Sequence, residues 1–133
     1  HFAGRVGDWL RVGGENLGTR PIVSVLRSHP AVLDAAVYGI ATERVGDTVM
    51  AAIVSDGTLT ASDLTDLVLD TERLSTRQRP EYIRLTPRLP RTATFKTLTR
   101  QLAAEALDTV DPVLHLTPDG YRARQPDHRK ARP

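Results

Sequence analysis

The chain contains no cysteine. That excludes disulfides, thiolate metal sites and cysteine nucleophiles, and it fits a reducing, cytoplasmic compartment. Aromatic residues are scarce at 5%, so a core must be built mainly from Leu, Val, Ile and Ala. Lysine is nearly missing: of 18 basic residues, 16 are arginine and only Lys96 and Lys130 are lysine. The longest apolar runs, near 35–41 and 49–54, fall far short of the roughly 20 residues of a membrane span. No charged-then-apolar signal segment opens the chain. His1, His29, His115 and His128 show no ligand spacing, so no metal site is expected. No G-x-S-x-G elbow is present, which removes support for a hydrolase triad.

What remains is an ordinary globular composition, 40% hydrophobic and 26% charged over 133 residues. It predicts one domain over 1–124, followed by a basic, disordered tail over 125–133. The net charge of +2 is small, and the cluster Arg122, Arg124, Arg129, Lys130, Arg132 lacks interleaved aromatics. No nucleic-acid partner is expected. The opening "HFAGRVGD" already lies inside patterned sequence, so the chain reads as a piece of something longer.

Along the chain, "DWLRV" (8–12) alternates like a short strand, and "GGENLGT" (13–19) reads as a glycine turn. The latter contains G-x-x-x-x-G, but Thr19-Arg20 follow where a phosphate-cradling loop needs Lys and Ser/Thr. Thr19 is placed to cap a helix with Pro21 in its first turn, and Ile22, Val25 and Leu26 form one apolar stripe ending before His29-Pro30. The runs 31–41 and 48–57 predict an antiparallel pair of core strands. An amphipathic helix is predicted over 60–75, with Leu64, Leu67, Val68 and Leu74 on one side. A third strand is predicted over 81–87 and a final helix over 97–107. A hairpin is predicted over 113–123, around Pro118-Asp119-Gly120. The sum is α+β: a small sheet of about three core strands flanked by helices, plus short hairpins.

Between the third strand and the last helix, Pro87 and Pro90 predict an irregular connection, "PRTATFK", that ends in Lys96. Most loop lysines are solvated and specific to nothing. Here an arginine-rich chain keeps a lysine after two small hydroxyl residues, Thr92 and Thr94. An ammonium is a compact point charge that reaches one or two oxygens in a narrow site, whereas a guanidinium is a broad planar fork. From these residues alone two readings stand: an ordinary solvated loop lysine, or a phosphate or carboxylate contact.

Three stretches, in order and at matching spacing, go further: "GRVGDWLRVGGENLGT" (4–19), "HPAVLDAAVYGIATERVGDTVMAAIV" (29–54) with Gly46-Asp47 inside it, and "RPEYIRLTPRLPRTATFK" (79–96). Together they resemble the C-terminal lid domain of the adenylate-forming superfamily. The branch they are most similar to is that of long- and very-long-chain fatty-acid–CoA ligases and fatty-acid transport proteins. The likeness runs from about residue 2 to about 124.

The resemblance implies an AMP-forming acid–thiol ligase that uses ATP, CoA and Mg2+, bound mainly by an N-terminal domain of the same polypeptide. It implies that Lys96 is the catalytic lysine of adenylation and that Arg5 approaches the nucleotide. Gly14 would flank the pantetheine tunnel, and Gly7 would be the hinge. It further implies a fatty or other bulky carboxylic acid as substrate and no activity without the larger domain. A cytoplasmic enzyme is implied, with peripheral membrane association left open. Two departures stand out: Pro21-Ile22-Val23 replaces an E-[IV]-E triplet common in relatives, and the segment after Lys96 lacks the second lysine common in the fatty-acid branch. Two alternatives remain at this point. One is an acyl-AMP ligase that loads a carrier protein, and the other a non-catalytic basic module for nucleic acid or anionic lipid.

Overall fold

Val, Ile and Ala dominate the two longest strands, β3 (Val32–Ala41) and β4 (Asp47–Ser55). They pair antiparallel from Ala41 opposite Asp47 to Val32 opposite Ser55, as the sequence predicts. The structure, a computed structural model, describes residues 9–12, 14–42, 46–70, 72–89 and 95–124, with 95–97 described by backbone alone. Residues 48–53 of β4 are all buried, because the strand is covered on both faces. That is why it reads as a continuous apolar run and not as an alternation.

Strands β5 (Tyr82–Leu85), β6 (Val113–Thr117) and β7 (Gly120–Ala123) extend the sheet in the order β3-β4-β5-β6-β7. The strand count corrects the expectation of about three: the predicted 113–123 hairpin does not stand apart but adds both its strands to the main sheet. The pair β4–β5 is parallel. A parallel pair needs a crossover, supplied here by helix α2 (Ala61–Leu69). Near the start of β3 the register slips between Val32 and Asp34, and the Ala35 N–H donates to the Asp34 side chain at 2.9 Å.

Two clusters sandwich the sheet. On one face lie Ile22, Val25 and Leu26 of helix α1 (Arg20–Arg27) with Leu64 and Val68 of α2, packed on Val37, Val49, Ala51, Ile53 and Ile83. The stripe read from the sequence is thus the buried side of α1. Thr19 sits at its N-cap, but its side chain makes no capping bond; the residue is only 1% exposed. In α2 a capping box is complete: Thr60 Oγ1 accepts from Asp63 N–H at 3.1 Å, and the Asp63 carboxylate accepts from Thr60 N–H at 2.9 Å. The helix stops at Leu69, short of the predicted 75, yet Leu74 joins the same cluster from the following segment. On the opposite face, Leu98 and Leu102 of helix α3 (Phe95–Glu105) pack on Ala36, Tyr38, Ile40, Met50 and Ala52.

Candidate functional site

The stretch "GGENLGT" is not a simple turn. Strand β1 (Trp9–Val12) pairs antiparallel with β2 (Glu15–Gly18), from Trp9 opposite Gly18 to Val12 opposite Glu15. Only its start forms the bend. Gly14 sits there with φ +86°, in the left-handed region, and a Cβ at that position would find no atom within 4 Å. The bare backbone at Gly14 therefore faces open space.

A two-stranded hairpin is marginal alone, and this one is seated on β3 and β4. Leu10 is 6% exposed and joins the α1–α2 cluster. Arg11 N–H donates to the Asp47 carboxylate at 2.9 Å, and Val12 bridges Gly46 in an antiparallel contact. Gly46 has φ +87°, and a Cβ there would meet the Arg11 carbonyl oxygen at 2.7 Å. At Gly39 a Cβ would meet Asp47 Cβ and Cγ at 2.9 Å and Leu10 Cδ2 at 3.0 Å. The Gly-Asp pair noticed between the core strands is therefore a joint between hairpin and sheet. Sequence reasoning recognised the motif but not its work, and it passed over Gly39, because both depend on contacts between distant segments. A weaker exposed tie, Arg77 to Glu15 at 3.2 Å, links β2 to the 3₁₀ turn Thr76–Gln78.

Lys96 lies in the first turn of α3, which begins at Phe95. This corrects the expectation that Lys96 ends an irregular connection. Among the described residues, regular structure stops at Leu85, before Pro87, and resumes at Phe95, where the helix begins. The Lys96 side chain, Arg5, Gly7, residues 90–94 with Thr92 and Thr94, and the tail 125–133 lie outside the described residues.

Arg84 fixes the far end of α3. From β5 its Nη1 reaches Glu105 Oε1 at 2.5 Å, and its Nε reaches Asp111 Oδ2 at 2.8 Å. Burial works against the guanidinium charge, but hydrogen bonds to Glu105 and Asp111 outweigh it and raise the pKa above its ordinary value. Beneath the helix the Tyr38 hydroxyl is buried without a hydrogen-bond partner among the described residues, and desolvation raises its pKa. Tyr38→Phe is therefore expected to leave the free energy of unfolding unchanged or to raise it, by up to about 1 kcal/mol. Urea unfolding of the variant checks this, and a clear loss of stability would show that the hydroxyl is paired after all.

The hairpin with Gly14 is thus anchored in the cluster on one face of the sheet, and the helix with Lys96 packs on the other. The structure does not bring the two into one pocket. Among the described residues, no three His, Cys, Asp or Glu side chains converge to hold a metal ion, and no helix is long and apolar enough to cross a membrane.

The family of AMP-binding enzyme C-terminal domains matches residues 22–96, more than half of the chain, and the match ends on Lys96. The chain is 47% identical over 115 residues to the medium/long-chain-fatty-acid–CoA ligase of Mycobacterium marinum, covering 85% of this chain and 23% of that protein. It is 36% identical over 115 residues to the steroid-22-oyl-CoA synthetase of Rhodococcus jostii, covering 85% of this chain and 21% of that protein. Among solved structures, a double mutant of o-succinylbenzoate CoA synthetase from Bacillus subtilis, bound with its product analogue, superposes with a TM-score of 0.63 at 34% identity. That match covers 80% of this chain and 21% of the Bacillus chain. The chain thus spans about a quarter of the length of these fatty-acid–CoA ligase relatives.

Proposed function

Because this chain belongs to the family of AMP-binding enzyme C-terminal domains, we propose that it is the small domain of an ATP-dependent fatty-acyl-CoA ligase. The observation that carries the reading is 47% identity to a medium/long-chain-fatty-acid–CoA ligase, over a stretch that spans most of the chain. In the first step an acid carboxylate oxygen attacks the α-phosphorus of ATP, and pyrophosphate leaves. In the second, the CoA sulfur attacks the acyl carbonyl and AMP leaves. Mg2+ neutralises charge on the ATP phosphates when bound. Lys96 contributes to the first step, Arg5 approaches the nucleotide, Gly14 lets the pantetheine arm pass close to backbone, and Gly7 is the hinge.

The anchoring of Gly14 and Lys96 on opposite faces of one sheet supports this division of labour. A rigid domain with two working faces can serve one reaction centre only by turning between steps. The centre itself belongs to a larger N-terminal domain of the same polypeptide, which supplies the nucleotide and acyl sites. The full-length enzyme is cytoplasmic in this reading.

The test is product identity. The full-length protein, given a long-chain fatty acid, MgATP and CoA, should form acyl-CoA, AMP and pyrophosphate in equal amounts, read by mass spectrometry. Acylation of a carrier protein in preference to CoA would replace the reading with a carrier-loading ligase. The 133-residue chain alone should unfold cooperatively on heating and form no acyl-adenylate. Adenylation by the isolated chain would overturn the assignment of the nucleotide site to another domain.

A further inference from the structure

We infer that Asp47, with Gly39 and Gly46, is a positioning device for the thioester-forming step; this rests on the reading just given. The hairpin β1–β2 carries Gly14 on its bend, and two strands alone do not hold a position. What sets the place of Gly14 relative to the sheet is therefore the buried Leu10 together with the joint beneath β1. The joint has three parts, drawn from two segments distant from β1 in sequence. The Asp47 carboxylate accepts the Arg11 N–H at 2.9 Å. Gly46 takes φ +87° and lies so close under β1 that any Cβ would strike the Arg11 carbonyl oxygen at 2.7 Å. Gly39 clears room for both sides of the joint, since its missing Cβ would collide with Asp47 and with Leu10.

This joint is separate from the support of Lys96. The hairpin is tied to the face that carries α1 and α2. The helix α3 is held by the other cluster and by Arg84 through Glu105. Loosening the hairpin should misplace Gly14 while leaving α3 seated. A misplacement of about 1 Å at a site of close approach can cost on the order of 10²-fold in rate. The chemistry also defines the conservative variant: asparagine keeps a carbonyl oxygen that can accept the Arg11 N–H, and alanine does not.

The experiment uses the full-length protein and its two half-reactions, with dodecanoic acid and ready-made dodecanoyl-adenylate as probes. Asp47→Ala should lower thioester formation from dodecanoyl-adenylate and CoA by roughly 10-fold or more. Pyrophosphate release with dodecanoic acid and ATP should stay within about 2-fold, because α3 keeps its own supports. Asp47→Asn should recover most of the thioester rate. Amide exchange over residues 9–18 should quicken in the alanine variant and much less in the asparagine variant. Unchanged exchange would show that Asp47 does not hold the hairpin and would overturn the inference. Quickened exchange with an intact thioester step, or with equal losses in both half-reactions, would overturn the positioning role while leaving the ligase reading in place. A wild-type protein that releases pyrophosphate but makes no dodecanoyl-CoA would instead count against the ligase reading and remove the step the joint is meant to serve.

Discussion

Lys96→Ala in the full-length protein is expected to lower acyl-adenylate formation by about 10²–10³-fold. As the carboxylate attacks phosphorus, negative charge redistributes over oxygens that belong to two anions. A positioned ammonium holds them together and is worth more as that charge develops. Thioester formation from supplied acyl-adenylate should be largely spared, since the proposed cycle has the domain present its hairpin face in that step. Lys96→Arg should restore little, because the guanidinium is bulkier and its charge is spread. Lys130→Ala, outside the matched segment, is the control. Stopped-flow or coupled pyrophosphate release measures the first step and CoA thioester absorbance the second. Equal loss in both would assign Lys96 a structural role, and no loss in the first would remove it from the mechanism.

The largest expected effect on stability comes from the joint between α2 and β7. Gly120 has φ +116°, and a Cβ there would lie 2.6 Å from Thr65 Cγ2 and 2.7 Å from Thr65 Oγ1. Thr65 is not free to move away. Its hydroxyl donates to the Ala61 carbonyl at 2.8 Å and accepts from the Tyr121 N–H at 2.9 Å. Gly120→Ala thus combines backbone strain with overpacking, and a loss of about 2–4 kcal/mol is expected. For a chain of this size that is a fall of about 10 °C in Tm. Gly57→Ala is the comparison: its φ is +96°, but a Cβ would meet nothing within 4 Å, so strain acts alone. Calorimetry on the two variants separates the terms. Equal small shifts would mean that Thr65 yields without cost.

Much of this architecture was legible because local pattern and final burial agree. The stripe Ile22, Val25, Leu26 is one face of a helix, and the apolar runs of β3 and β4 pair as read. The turn at Asp119-Gly120 closes a hairpin because glycine supplies the positive φ that the turn needs. Where the reading fell short, tertiary contacts decided. Residues 15–18 look like turn residues by composition, yet they form a strand because β1 pairs with them along its length. Nothing local marks Arg84 apart from the other arginines; its work depends on Glu105 and Asp111, which the fold brings to it. Lys96 was singled out by its rarity, and the resemblance gave it a role. Its place in the first turn of a helix was hidden by the prolines before it.

The irregularity at the start of β3 has a consequence for solubility. β3 is an edge strand of the five-stranded sheet and its longest, with an exposed Leu33 close to its start. A flat apolar edge of that length is a template on which a second chain can add a strand. The slipped register between Val32 and Asp34 bends the strand there, and the Asp34 side chain occupies the Ala35 N–H. A foreign strand would meet a twisted edge with one amide already taken and a carboxylate in its path. An acid at the margin of the sheet thus guards against edge-to-edge aggregation.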